Sequence, residues 1–290
     1  MILELYRSEL ASWLRCETQH YDTYVNEVGL AGETALNLQI GKLWHSMLEE
    51  YHRFDMGQLE HGVEVWTAHT GGFEYATGDW RWLPKMLIKY HEWYKASGYK
   101  VLLVERELRI PWAPTAAVKA KYPDLEVILL GTIDRLYIDG SGQYWIGEDK
   151  TTTQHSNAHL LTDPQGLTYM LYADELDLPV EGVLYVQAKK HNPESPNTKT
   201  ATIAAYPVPF SDQAKRSWGH QLDNVIARVV HSRLDPFEEV EPTLFRRFNP
   251  LPWMSCFCPL EAKCLGWLHG RDTSDLYEHV NPNAWRNASE

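Results

Sequence analysis

The sequence predicts a single-domain α/β protein with helical additions at both ends. Three observations lead there. Apolar residues recur at three- and four-residue spacings in several long stretches, and they alternate in several shorter ones. No repeat, low-complexity segment or linker interrupts the 290 residues, a length that suits one large domain with a substantial core.

The elements follow in order. The first 60 residues read mainly as helix; LNLQIGKLWHSMLEEYHRF carries Leu43, Met47, Leu48, Tyr51 and Phe54 at amphipathic spacings. GGFEYATGDW reads as a loop, and LPKMLIKYHEWYKAS as a helix ended by Gly98. YKVLLVERELRIPW alternates and predicts a strand. DLEVILLGTIDRLYID and QYWIGEDKTT predict a hairpin closed by GSG. A helix is expected from about Asp163 to Leu176, with Asp163 as N-cap and Pro164 at the first helical position. VEGVLYVQAKK and TATIAAYPVPF are two more strands, and SDQAKRSWGHQLDNVIARVVHSRL is a long helix capped by Ser211. The remainder reads as loop, and residues 281–290 as a disordered tail after a domain of residues 1–280.

Composition narrows the function. The net charge of −12 argues against a protein that coats nucleic acid, whose affinity comes from neutralising phosphates, but not against an enzyme with local basic groups. No apolar run approaches the roughly 20 residues of a membrane helix. The N-terminal MILELYRSELASWLRC lacks the features of a signal peptide, so a cytoplasmic location is expected. No G-x-x-x-x-G-K-[ST] or H-E-x-x-H occurs, so neither a P-loop helicase nor a zinc hydrolase is indicated.

The hairpin holds the sharpest signal. If Gly140, Ser141 and Gly142 form its loop, Asp139 pairs with Gln143, Asp134 falls opposite Glu148 and Thr132 opposite Lys150. Asp134, Glu148 and Lys150 then share a face with Leu136, Ile138 and Ile146. Like charges facing each other across a sheet are destabilising, and burial makes them worse, so a positive charge must lie between them. Lys150 is one source and a divalent cation such as Mg²⁺ the other. A buried network that only fixes register is the plainer alternative.

GTIDR followed by IGEDKT resembles the signature of the PD-(D/E)XK nuclease superfamily, and more closely its RecB-like branch of helicase-linked, CRISPR-adaptation and phage nucleases. Asp134, Glu148 and Lys150 match the catalytic trio, and Asp149 the variable position, whose backbone carbonyl would face the metal. Two outlying motifs agree with the branch: His45 in GKLWHSMLEEY, and Gln165 with Tyr169 in QGLTY, four apart and so on one helical face. The resemblance implies a restriction-endonuclease-like core over about residues 38–210, with a central mixed β-sheet flanked by helices. It also implies Mg²⁺ or Mn²⁺ held by His45, Asp134, Glu148 and the Asp149 carbonyl. Lys150 would serve the attacking water, while Gln165 and Tyr169 would position the substrate or Lys150.

The four cysteines are Cys16, Cys256, Cys258 and Cys264. Many RecB-like nucleases hold a [4Fe–4S] cluster with one cysteine before the core and three after it, and this chain resembles that plan. It departs in one interval, Cys-x-Cys where the family has two residues between. Zinc, or thiols with no metal, are the alternatives.

The resemblance implies a metal-dependent deoxyribonuclease, an exonuclease on single-stranded DNA or DNA ends. Its setting would be recombination, repair or CRISPR-type adaptation, with any helicase, recombination or adaptation partner a separate chain. The alternative is an inactive nucleic-acid-binding or assembly subunit of the same fold, against which the intact trio argues.

Overall fold

The computed structural model describes residues 1–15, 20–25, 27–30, 36–53, 58–72, 74, 76, 78–190, 201–235 and 277–279. In chain order its elements are β1 (Ile2–Tyr6), α1 (Arg7–Arg15), β2 (Val28–Leu30), α2 (Leu36–His52), α3 (Leu59–Thr70), α4 (Leu83–Ser97) and β3 (Lys100–Trp112). There follow α5 (Ala116–Lys121), β4 (Glu126–Ile138), β5 (Tyr144–Thr152), α6 (Pro164–Tyr172), β6 (Val180–Lys189), β7 (Thr202–Pro209), α7 (Asp212–Leu234) and β8 (Tyr277–His279). Six strands form one mixed sheet in the order β1-β4-β5-β6-β7, with β3 also pairing β4. β2 and β8 form a separate antiparallel pair. Among the described residues, no helix is long and apolar enough to cross a membrane.

The chain divides into two compact units, each assembled from separated stretches. The first comprises residues 1–33, 111–130 and 219–290. Here the helical expectation for the N-terminus needs correction, because residues 2–6 form β1, parallel to the first part of β4 from Ile2↔Glu126 to Tyr6↔Leu130. Leu3 and Leu5 are buried while Ile2 is exposed, a period-two pattern too short to stand out beside the helix that follows. In the same unit Glu9 and His20 are fully buried, with His20 Nε2 3.0 Å from Glu9 Oε1 and Arg233 Nη1 3.3 Å from that oxygen.

The second unit comprises residues 34–110 and 131–218. Its core joins one face of α2, α3 and α4 to the sheet: Trp44, Met47, Leu48, Tyr51, Leu87 and Tyr90 pack with Tyr137, Trp145, Leu184 and Val186. α4 ends at Ser97, before Gly98, as its sequence predicts.

The hairpin forms in the expected register. Asp139 N–H donates to the Gln143 carbonyl at 3.0 Å, and the Asp139 carboxylate caps the turn by accepting from the Ser141 and Gln143 amides. The pairs Ile138↔Tyr144 to Arg135↔Gly147 follow, and one further step of that register sets Asp134 opposite Glu148.

α6 is held by hydrogen bonds to β6 and to α7 as well as by its own cap. Asp163 accepts from the Gln165 amide at 3.0 Å, as the N-cap should, and from the Tyr185 hydroxyl at 3.0 Å. Trp218 Nε1 donates to Thr168 Oγ1 at 3.0 Å. A side chain at Gly166 would overlap the Tyr185 hydroxyl and press on Phe210. Gly166→Ala is therefore expected to destabilise the protein by about 1–3 kcal/mol, measured by chemical denaturation, because the overlap falls in a packed interface. Wild-type stability in that variant would mean that the helix seat yields.

Candidate metal centre and nuclease site

β4 and β5 place the acids of the hairpin, α2 places His45, β3 places Glu105 and α6 places Gln165 and Tyr169. The backbone ladder between β4 and β5 runs as far as Arg135↔Gly147. At the next step a side chain takes over: Asp134 Oδ2 accepts the Asp149 N–H at 2.7 Å. That bond fixes one oxygen of Asp134 and leaves Oδ1 facing His45 Nδ1 at 3.4 Å.

Glu105 completes this cluster, and the sequence reading missed it. In an alternating stretch such as VERELRI, a glutamate beside an arginine reads as solvated surface. The backbone reveals it, since Glu105 has φ 44°, a left-handed conformation rare for a non-glycine residue inside a strand. Its Oε1 lies 3.9 Å from His45 Nδ1. Single ligand atoms of His45, Glu105 and Asp134 all lie within 4.8 Å of one another. One imidazole and two carboxylates form a donor set that fits a hard or borderline divalent ion such as Mg²⁺ or Mn²⁺.

Glu148 and Lys150 stand beside this cluster in a closed circuit of contacts. Lys150 Nζ pairs with Glu148 Oε1 and donates to Gln165 Oε1 at 2.7 Å. Gln165 Nε2 donates to the Tyr169 hydroxyl at 2.9 Å. That hydroxyl lies 2.9 Å from Glu148 Oε2 and 3.1 Å from the Thr132 carbonyl, so its single proton serves one of the two at a time. Glu148 and Lys150 of the hairpin thus meet Gln165 and Tyr169 of QGLTY in one group. Asp149 differs from them: its amide reaches Asp134, while its carboxylate is turned to the buried Arg135. Cys16, Cys256, Cys258 and Cys264 lie outside the described residues.

The electrostatics follow from these contacts. Burial raises the Asp134 carboxyl, but His45, Arg135 and the Asp149 amide outweigh it and bring it down to about 2. Burial favours neutral His45, yet Asp134 and Glu105 outweigh it and hold the imidazole well above its ordinary value. Burial pushes the Glu105 carboxyl up. Burial opposes charge on Lys150, but the adjacent Glu148 raises it overall, so the ammonium persists at neutral pH.

A metal ligand must be deprotonated, so binding an ion at this cluster displaces the His45 proton. Affinity for Mn²⁺ is therefore expected to rise with pH below the raised His45 value, approaching about tenfold per pH unit for one proton released. Calorimetry in buffers of different ionisation enthalpy counts that proton. An affinity that stays flat between about pH 6 and 8 would place the ion away from His45.

Comparisons with known proteins give the family and the fold. The family model of the PD-(D/E)XK nuclease superfamily matches residues 7–264. No curated protein matches the sequence significantly. Among solved structures, the crystal structure of a protein named "Putative exonuclease" from Eubacterium rectale superposes with a TM-score of 0.54 at 11% identity, covering 88% of this chain and 92% of that one. At that identity the likeness shows the fold. A second structure, of the protein SSO0001, has a TM-score of 0.35 and 9% identity over 90% of this chain and 85% of that one, too low to bear on the argument.

Proposed function

This chain belongs to the PD-(D/E)XK nuclease superfamily, and from that premise we propose that it hydrolyses DNA in a metal-dependent reaction, acting as an exonuclease on single strands or ends. One observation carries the reading: a His45–Glu105–Asp134 cluster suited to a divalent ion lies in the same unit as the Lys150–Glu148 pair held by Gln165 and Tyr169. A surface cluster of acids would lack both the lysine partner and the helix that orients it.

His45, Asp134 and Glu105 would hold the ion, with Glu148 and the Asp149 carbonyl as the further ligands that the family pattern supplies. When bound, such an ion polarises a phosphate oxygen and acidifies a bound water. The protein's own groups do the rest. Asp134, kept ionised by its neighbours, offers one oxygen while the Asp149 amide fixes the other. Lys150, charged and anchored by Gln165, orients the attacking water or steadies the charge that builds on the phosphate. Gln165 and Tyr169 keep Glu148 and Lys150 in place without taking part in bond breaking. A [4Fe–4S] cluster on Cys16, Cys256, Cys258 and Cys264 remains part of the proposal on the resemblance alone, and iron and acid-labile sulfide analysis of anaerobically purified protein tests it.

The test is cleavage of end-labelled single- and double-stranded DNA with Mg²⁺ or Mn²⁺, beside an EDTA control. Metal-dependent shortening from an end is expected. A folded protein that binds DNA but leaves it intact would support the alternative of an inactive binding or assembly subunit.

A further inference from the structure

Behind the site, on the side of α2 and α4, the second unit contains a layer of buried polar side chains in an otherwise apolar core. Arg135 is fully buried and pairs with Asp149, itself 2% exposed. Arg135 stands opposite Gly147, where a side chain would collide with the Tyr137 ring and press on Arg135 Cβ. The absence of a side chain at Gly147 leaves the guanidinium free to cross diagonally to Asp149. The guanidinium carbon also lies 6.0 Å from the centroid of the Tyr90 ring. The Tyr90 hydroxyl is 2.9 Å from the Tyr137 hydroxyl and 2.8 Å from His52 Nε2.

His52 closes the path. It lies on α2 seven residues after His45, two turns along the same face. The contacts therefore form a ring that begins and ends at the metal cluster. Asp134 holds the Asp149 amide, Asp149 pairs with Arg135, and Arg135 lies against Tyr90. Tyr90 bonds His52, and the helix of His52 carries His45 back to Asp134.

A buried ion pair is a poor source of stability, because desolvating two charges costs as much as or more than their attraction returns, and an apolar pair of similar volume does as well. Such a pair does fix geometry, since it tolerates few arrangements. Hydroxyl and imidazole groups in a dry interface behave alike, because each must keep its partner.

We propose that this layer is a positioning element: it sets the depth and rotation of α2 against the sheet, and so the separation of His45 from Asp134 on which metal affinity depends. The inference rests on the metal cluster assigned above and deepens it. The side chains of Arg135, Asp149, Tyr90, Tyr137 and His52 act through the ligands, and none of these side chains touches substrate; the Asp149 carbonyl, a ligand in its own right, is a separate group.

Two variants and two readouts test it. Tyr90→Phe keeps the ring and removes both hydroxyl bonds, while Arg135→Met with Asp149→Leu removes the ion pair without stranding a charge. Mn²⁺ binding to the purified full-length chain, followed by electron paramagnetic resonance well below the melting transition, reads the site independently of cleavage. Each variant is expected to bind Mn²⁺ about tenfold to a hundredfold more weakly, the usual effect of groups that orient metal ligands. For Tyr90→Phe, the DNA cleavage rate at saturating Mn²⁺ should return to within a few-fold of wild type, because the reacting groups are untouched. A layer that only packs the core would shift the melting temperature and leave Mn²⁺ affinity unchanged. If wild type binds Mn²⁺ and Tyr90→Phe binds it equally well, the inference is overturned and the metal site stands. If wild type itself binds no Mn²⁺, the metal-site reading fails and the inference falls with it. Tyr90→Phe keeps the test decisive should the double variant not fold.

Discussion

Lys150→Ala is expected to lower the rate of metal-dependent DNA cleavage by about a hundredfold to a thousandfold, the usual consequence of removing one preorganised donor from a charge-stabilising site. The lysine is suited to that role by its surroundings. Its ammonium is paired with Glu148 and anchored on Gln165, and burial has not stripped its charge because Glu148 more than offsets the desolvation. Its removal takes away the ammonium that would share, with the divalent ion, the charge that develops on the phosphate. The side chain is 40% exposed, so the fold should tolerate its loss and the melting temperature should move little. Arginine should restore little activity, because a planar fork cannot reproduce a point charge on a flexible stem at the same position. Single-turnover cleavage at saturating Mn²⁺, with a thermal melt on the same preparation, makes the measurement. A Lys150→Ala variant as fast as wild type would remove Lys150 from the chemistry and leave its circuit with Gln165 and Tyr169 as a structural feature.

The largest stability effect is expected at Arg135, whose replacement by methionine should cost about 3–5 kcal/mol at neutral pH by leaving a buried carboxylate without its partner. The loss should depend on pH. Burial pushes the Asp149 carboxyl up to about 6, with Arg135 pulling against it. In wild type, the folded state therefore holds this proton more tightly than the unfolded chain, so the group's contribution to stability falls as pH rises from the ordinary aspartate value to about 6 and is level above. Without Arg135 the carboxyl rises further, and the loss continues to higher pH. Arg135→Met should thus be less destabilising at about pH 5 than at pH 7, and adding Asp149→Leu should recover most of the deficit. Urea titrations at both values decide the matter. An equal loss at both would mean that Asp149 finds another cation, or water, in place of Arg135.

Much of this site was legible in the sequence, for a physical reason. Asp134, Glu148 and Lys150 lie on two strands joined by a short turn, so alternation and turn length fix their relation without knowledge of the rest of the chain. Gln165 and Tyr169 are one helical turn apart, and their helix announces itself through Asp163 and Pro164. His45, Gln165 and Tyr169 were identified as site residues only through the resemblance, since such side chains on amphipathic helices have no chemical signature of their own.

Tertiary structure decided the rest. Glu105 lies far from His45 and Asp134 along the chain, and a left-handed residue within a strand brings it to them; no periodicity encodes that approach. β1 was concealed because five residues paired with a distant strand resemble the helix beside them. Arg135 and Asp149 carry the same charges on a solvated face as in a core, and only the packing of Tyr90 and Tyr137 around them reveals that they are buried. By itself, the sequence determined the groups available for chemistry and the local register that pairs them, because both follow from neighbours along the chain. The tertiary structure alone decided which distant side chains close the cluster and what holds it in place, because those distances are set by the packing of helices on the sheet.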